Sequence, residues 1–249
     1  MNVVNFPGLG LEFEISKIAF NIAGIDIYNY AICIVLGILT GLLLCKTSEE
    51  KYYIKFDYVL ETILFVLVFG ILGARLYYVI FNFNYYTENI VQILNFRDGG
   101  LAIYGGIITG LYVIVKRCQK CNVNTLDFLN YISPYVAIAQ SIGRWGNFFN
   151  IEAYGSQTKS LFRMGIFNNY NYIEVHPVFL YESILTFVIF LILKNCQSNK
   201  TTKNQIFYLY ILLYSGVRMF LESLRVDSLM FLAPFAYGLT TAGSNANTS

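Results

Sequence analysis

Six runs of mostly apolar residues, at 25–45, 59–81, 101–115, 126–142, 178–193 and 206–221, constrain this chain more than any other feature. A helix needs roughly 17–25 such residues to cross the hydrocarbon core of a bilayer, where each backbone N–H and C=O must find its partner inside the protein. The runs predict an all-α integral membrane protein of six helices. A seventh run at 229–242, interrupted by Pro234 and Gly238, reads either as a shortened final span, making six to seven helices, or as a segment that only dips into the bilayer. Composition agrees: 56% of the 249 residues are hydrophobic and 13% are charged, about half the ~25% charged residues of an ordinary globular domain. A net charge of +2 is too small to imply a nucleic-acid partner. The expectation is a single polytopic membrane domain over 1–249.

Loop charges orient the chain. Lys46, Lys51 and Lys55 follow the first run, Lys116, Arg117 and Lys120 the third, and Lys194, Lys200 and Lys203 the fifth, while 82–100 carries only Arg97. Cytoplasmic loops hold the excess of Lys and Arg, so the N-terminus is expected outside and 144–177 as an extracytoplasmic head segment. Residues 1–22, with Pro7, Glu12, Glu14 and Lys17, lack the cationic start and apolar core of a cleavable signal. They read as an extramembrane lead-in. Of five cysteines, Cys118 and Cys121 form a CxxC, Cys33 and Cys45 lie in the first run, and Cys196 sits in a Lys-rich loop. With no second pair and a single His, this is not a zinc or redox pattern, and the thiols read as reduced.

Polar residues gather where this topology puts one side of the membrane. The segment at 143–155 concentrates Arg144, Asn147, Asn150 and Glu152 just after the fourth run. Ionisable groups at such depth are functional by default, and the choice is between a boundary anchor and a clamp for an anion. Arg218, Glu222 and Arg225 recur at i, i+4 and i+7 on one helix face. They form an ion-pair ladder or, with two cations to one anion, a phosphate site, since Arg presents a two-pronged donor set. His176, the only His, precedes Pro177 at the start of the fifth run, as a capping residue or an acid–base group. Arg75, among Gly73, Ala74, Leu76, Tyr77 and Tyr78, reads more readily as an anchor. The glycines at 99, 100, 105 and 106 around Tyr104 serve either close helix packing or a ligand at a helix start, and Gly106-x-x-x-Gly110 favours packing. Snorkelling anchors would populate both interfaces. A one-sided cluster suits an anionic lipid head group.

Together these motifs resemble the prolipoprotein diacylglyceryl transferases of bacteria. The family signature Gly-Arg-x-Gly-Asn-Phe-x-Asn-x-Glu-x-x-Gly matches at every fixed position over 143–155. The regions around Tyr30, 73–78, 98–106, 176–182 and 218–227 support it in the same order. The resemblance implies a seven-span bundle of the bacterial cytoplasmic membrane, N-terminus outward and active site on the extracytoplasmic side. It implies transfer of the diacylglyceryl group of phosphatidylglycerol to the lipobox cysteine thiol of a preprolipoprotein, forming a thioether and releasing glycerol 1-phosphate. No cofactor and no metal are implied. By motif position Arg144 and Arg218 hold the phosphate, Asn147, Glu152 and Gly155 complete the signature site, Glu222 and Arg225 stand near the second arginine, and Tyr30 begins the first span.

The match has departures. Tyr104 stands where many members carry the His cast as the base; a phenol is a poor base at neutral pH, so its expected role is positioning or relay. Asn29 and Ala31 flank Tyr30 where Trp and Gly are usual, and the last span is short. Glu152, His176 and Tyr104 all stand as catalytic candidates for taking the thiol proton. Two other classes fit parts of the sequence: a small-solute transporter, for which the internal repeat is missing, and an inactive relative serving as a scaffold.

Overall fold

The computed structural model describes residues 2–22, 24–88, 90–95, 99–168, 171–198 and 204–225. The described residues divide into two compact units, one drawn from 2–48 and 129–225 and the other from 49–128. In order the elements are β1 (Asn2–Phe6), β2 (Leu11–Ile15), β3 (Ile18–Ile22), β4 (Ile25–Tyr28), α1 (Asn29–Lys46), α2 (Glu49–Tyr52), α3 (Phe56–Phe81), α4 (Phe83–Glu88) and a 3-10 turn at Ile90–Leu94. They continue with α5 (Ile103–Lys120), α6 (Thr125–Gly143), α7 (Trp145–Asn150), β5 (Met164–Asn168), β6 (Asn171–Val175), α8 (Val178–Ser198) and α9 (Ile206–Glu222).

Each of the six apolar runs contains one long helix, α1, α3, α5, α6, α8 and α9 in order. Of these, α1, α3 and α8 are long and apolar enough to cross a membrane. The expected seventh run at 229–242 lies outside the described residues.

The all-α expectation is corrected by six strands among the described residues, in an antiparallel sheet of order β2-β1-β5-β6 and a separate β3–β4 hairpin. Leu11, Phe13 and Ile15 alternate with Glu12 and Glu14, the two-residue period of a strand with unlike faces. The first helix begins at Asn29 instead of residue 25, because Ile25–Tyr28 pairs with Ile18–Ile22. Apolarity alone does not distinguish a strand from the first turn of a helix.

The sheet has a specific task. Val4, Phe6, Ile15, Met164, Ile166 and Val175 form one buried core with Phe148 of α7 and Phe179 of α8. A six-residue helix is too short to hold itself; α7 is held by this core, with Trp145 and Phe148 edge-on or tilted against Phe179. Below it α6 is deeply buried, with Asn130, Tyr131 and Ala137 inaccessible. Helix α1 lies close on α6 because Gly37 and Gly41 face it. A Cβ at 37 would stand 2.6 Å from the Ala139 carbonyl oxygen and one at 41 would stand 2.9 Å from that of Tyr135, the close approach that small-xxx-small spacing permits. Helices α6 and α8 exchange two bonds, Ser141 Oγ donating to the Ser183 carbonyl at 2.7 Å and Ser183 Oγ to that of Ser141 at 2.8 Å.

In the second unit α3 packs on α5 along glycines, a Cβ at Gly105 meeting the Gly73 carbonyl and Ala74, which bears out the packing reading of that stretch. Arg75 of α3 is 5% exposed. Its guanidinium donates to the carbonyls of Gln92 (2.5 Å), Ile93 (3.0 Å), Gly99 (2.6 Å) and Gly100 (3.0 Å). It stitches the segment before α5 to α3, the anchor role expected of it. A hydrogen bond to a charged group contributes about 1.5–3 kcal/mol. Arg75→Met, which keeps the stem and removes every donor, is therefore expected to lower the melting temperature of the detergent-solubilised protein by several degrees. An unchanged melt would show that the clamp contributes nothing.

Candidate functional site

The site in the first unit is built on one carboxylate. Glu182, in the second turn of α8, is the only charged residue over 178–193, and its side chain is 3% exposed. Burying an ionised carboxylate costs several kcal/mol unless opposite charges meet it. Two do: Arg144 Nη2 lies 2.7 Å from Oε1, and Arg218 Nη1 lies 3.3 Å from Oε2 and 3.4 Å from Oε1. The Tyr214 hydroxyl of α9 donates to Glu182 Oε1 at 3.4 Å and accepts from Arg144 Nη2 at 3.4 Å. Arg218 also donates from Nη2 to Glu222 Oε2 at 3.1 Å, one helical turn on. Both arginine side chains remain about a quarter exposed, while the Glu182 they share is buried.

These charges arrive from three directions. Arg144 sits between α6 and α7, Glu182 near the start of α8, and Arg218 near the end of α9. The end of α6, the start of α8 and the end of α9 therefore converge. The start of α1 joins them: Tyr30 lies against α7, where a Cβ at Gly146 would stand 2.7 Å from its ring, and its hydroxyl lies within electrostatic reach of both Glu152 and Arg144. Stacked beside the cluster, Tyr210 and Tyr214 have ring centroids 5.8 Å apart, and Tyr210 donates to Gln140 Oε1 at 3.1 Å.

The signature segment folds back on itself. Asn147 N–H donates to the Arg144 carbonyl at 3.2 Å, and Glu152 N–H to the Asn147 carbonyl at 3.1 Å. The left-handed Ile151 (φ 52°) ends α7 and turns Glu152 so that Asn147 Nδ2 donates to its Oε1 at 2.9 Å. Gly155 then forms a β-bridge with Arg225. A Cβ at 155 would stand 2.7 Å from both His176 Cβ and the Leu224 carbonyl oxygen, so no larger residue fits between these chains. The backbone of His176 is bound on both sides, its N–H donating to the Ser156 carbonyl at 3.1 Å and its carbonyl accepting from Gly155 at 2.9 Å. Its Nδ1 lies 3.3 Å from the Tyr181 hydroxyl. Arg225 Nε is buried with no hydrogen-bond partner among the described residues.

Nine of the ten residues singled out in the sequence thus lie in the first unit. Arg144, Arg218 and Glu222 are linked through Glu182, Asn147 holds Glu152, and Gly155 joins His176 to Arg225. Tyr104, in the first turn of α5, belongs to the second unit, and half of its surface is exposed. Sequence reasoning passed over Glu182, Tyr210, Tyr214 and Gln140. A lone acid in an otherwise uncharged apolar helix was the available signal for Glu182.

A model of the prolipoprotein diacylglyceryl transferase family matches residues 17–243 of the chain. A protein of Finegoldia magna is 42% identical over 214 residues, covering 86% of this chain and 85% of its own. One of Clostridioides difficile is 41% identical over 214 residues with the same coverage. One of Streptococcus pneumoniae is 41% identical over 226 residues, covering 88% of this chain and 86% of its own. Each is named phosphatidylglycerol–prolipoprotein diacylglyceryl transferase.

Glu182→Ala leaves two guanidiniums without the carboxylate they share. Breaking a buried pair costs 3–5 kcal/mol, and the partial exposure of both arginines puts this one at about 3 kcal/mol. Glu182→Gln, which keeps the shape and an acceptor oxygen, should cost less. Thermal melting in detergent is expected to rank native above Gln above Ala, and an Ala variant as stable as the native protein would contradict the assignment.

Proposed function

Because the chain belongs to the prolipoprotein diacylglyceryl transferase family, we propose that it moves the diacylglyceryl group of phosphatidylglycerol onto the lipobox cysteine of a preprolipoprotein, the first step of lipoprotein maturation. The observation that carries this reading beyond the family match is the meeting of Arg144 and Arg218 over one buried carboxylate, each arginine side chain still about a quarter exposed.

In this scheme the head group enters sideways from the lipid, and its phosphate lies on the outer edges of Arg144 and Arg218. The sulfur of the peptide's cysteine forms a C–S bond with the glycerol carbon that carries the phosphate. The C–O bond at that carbon breaks, and its electron pair leaves on the oxygen of glycerol 1-phosphate. The arginines stabilise the charge that builds there. The thiol proton goes to Glu152, which Asn147 orients and which lies in the same charge neighbourhood as Arg144 and Tyr30; His176 and Tyr104 are the alternative acceptors. Tyr30 and Arg225 line the lipid side of the site, Gly155 admits the close approach of the Leu224 and His176 backbones, and Glu222 fixes Arg218. Every bond made or broken belongs to the two substrates or to a proton, so the scheme needs no cofactor or metal.

The topology proposed with it has six or seven crossings of the cytoplasmic membrane, with the N-terminus and 144–177 as a head on the extracytoplasmic side. If the six long helices cross alternately from an outside N-terminus, the start of α1, the end of α6, the start of α8 and the end of α9 all fall on the outer face. Those are the ends that converge on Glu182 and Tyr30. This supports one multi-pass membrane domain in the bilayer, with the preprolipoprotein as its proposed second partner.

The test is incubation of the purified protein with phosphatidylglycerol and a lipobox-cysteine peptide, read by mass spectrometry of the peptide and assay of released glycerol phosphate. Arg144→Ala and Arg218→Ala are each expected to lower turnover by about 10²–10³-fold, the usual cost of one donor to a developing anion. Full activity in either variant would discard the clamp, and no transfer by the folded native protein would discard the function.

The proton acceptor is tested separately. Glu152→Gln is expected to lose most turnover while His176→Gln and Tyr104→Phe keep it, when each is assayed with the same peptide over a range of pH. The opposite ranking would move the role to the residue whose replacement silences the enzyme.

A further inference from the structure

The β3–β4 hairpin carries a row of apolar side chains that the described residues leave about half exposed. Its register pairs Phe20 with Ile27, Ile22 with Ile25, and Asn21 with Asp26. Residues directly opposite share a face, so Phe20, Ile22, Ile25 and Ile27 make one continuous apolar face and Asn21 and Asp26 the other. The polar face is internally satisfied: Asn21 Nδ2 donates to Asp26 Oδ1 at 2.6 Å, and the Gly24 N–H donates to Asn21 Oδ1 at 3.0 Å, closing the turn. On the apolar face Phe20, Ile22 and Ile25 are 49%, 59% and 49% exposed. The hairpin has no third strand among the described residues, and an isolated two-stranded hairpin is at best marginally stable in water.

What covers that face follows from where the hairpin is fixed. Its base is bonded to the first residue of α1: the Asn29 N–H donates to the Lys17 carbonyl at 2.9 Å, and Asn29 Nδ2 to the Ser16 carbonyl at 2.9 Å. The Ser16 hydroxyl in turn donates to the Ile18 carbonyl at 2.8 Å. Helix α1 is long and apolar enough to span a bilayer, and it exposes Ile34, Val35, Leu36, Leu39 and Leu43 along its sides. The hairpin therefore starts at the head-group level of that helix. At ~3.3 Å per strand residue, its turn lies only about 13 Å from Asn29. Tyr28, itself half exposed, ends the hairpin where α1 begins. Aromatic residues favour this interfacial depth, and amphipathic elements settle there with the apolar face sunk ~5–10 Å into the head-group and acyl boundary.

We infer that the β3–β4 hairpin is an interfacial membrane anchor, with Phe20, Ile22, Ile25 and Ile27 laid into the lipid at the N-terminal end of α1. This goes beyond the transferase reading and does not depend on it, since the partner is the bilayer itself. The anchor fixes the height of the start of α1, and with it Tyr30, relative to the lipid head groups.

The experiment uses the full chain in nanodiscs of phosphatidylcholine and phosphatidylglycerol. Trp145, the only tryptophan, is replaced by Phe, and a single reporter is introduced as Phe20→Trp or, in the water-facing control, as Glu12→Trp. The Phe20→Trp emission is expected to be blue-shifted, little affected by iodide, and largely quenched when the discs contain brominated lipid. The Glu12→Trp emission should behave in the opposite way. Iodide quenching at Phe20→Trp as strong as in the control would overturn the inference. So would a reporter shielded from both iodide and brominated lipid, which would place protein, such as a second copy of the chain, over the face. No readout requires turnover, so a failed anchor and a failed transferase reading are separable.

Discussion

The arrangement of the first unit depends on a carboxylate that two arginines share. Glu182 is nearly inaccessible on a helix with no other charge over 178–193, and an ion in such a place is tolerable only when its counter-charges and hydrogen bonds are in position. Arg144, Arg218 and Tyr214 meet that demand from two other places in the chain. Relative placement of α8, α9 and the α6–α7 junction is thereby fixed to within a hydrogen-bond length. Much of the neighbouring packing serves the same end. The Ser141–Ser183 exchange sets α6 against α8 one turn from the ion pair, and the sheet core grips Phe148 and Phe179 so that Arg144 leaves α6 toward Glu182.

The sheet gives the segment before the first long helix a structural task. Strand β1 sits between β2 and β5, so 2–15 and 164–175 are halves of one layer although some 150 residues of chain separate them. Without that layer α7 would be six residues of irregular chain, and the Asn147–Glu152 bond depends on α7 ending in the left-handed Ile151. The geometry of the signature residues is thus set by residues outside the signature.

The helices were legible because long, mostly apolar runs suit few structures other than long helices, and each of the six runs contains one. The signature was legible because polar residues crowd into a chain that otherwise avoids them. The strands were less so for two different reasons. Leu11, Phe13 and Ile15 did alternate with two glutamates, but over only five residues. Ile25–Tyr28 ran without interruption into α1, and hydropathy has no means of marking a change from extended to helical backbone within an apolar run. Glu182 was visible as a lone acid yet lay in a stretch read for its histidine. Tyr210 and Tyr214 carried no signal at all: in a chain with 21 tyrosines, only packing distinguishes the two that stack beside an ion pair.

Charge counting gives the site a character that the arginines alone would not have. Arg144, Arg218, Glu182 and Glu222 sum to zero before any lipid arrives. On the proposed reading, a phosphodiester with one negative charge meets a neutral cluster whose donors are already aimed, and ground-state attraction is modest. As the C–O bond breaks, negative charge moves onto the departing phosphate, and attraction to the two guanidiniums grows while their distance from Glu182 need not change. Stabilisation that grows along the reaction coordinate raises the rate, whereas equal binding of substrate and transition state does not. Because Glu182 has already oriented the donors, little reorganisation is left for the moment of reaction. Two unpaired arginines would hold the glycerol phosphate product tightly. Pairing with Glu182 and Glu222 offsets part of their charge toward the product, which favours its release.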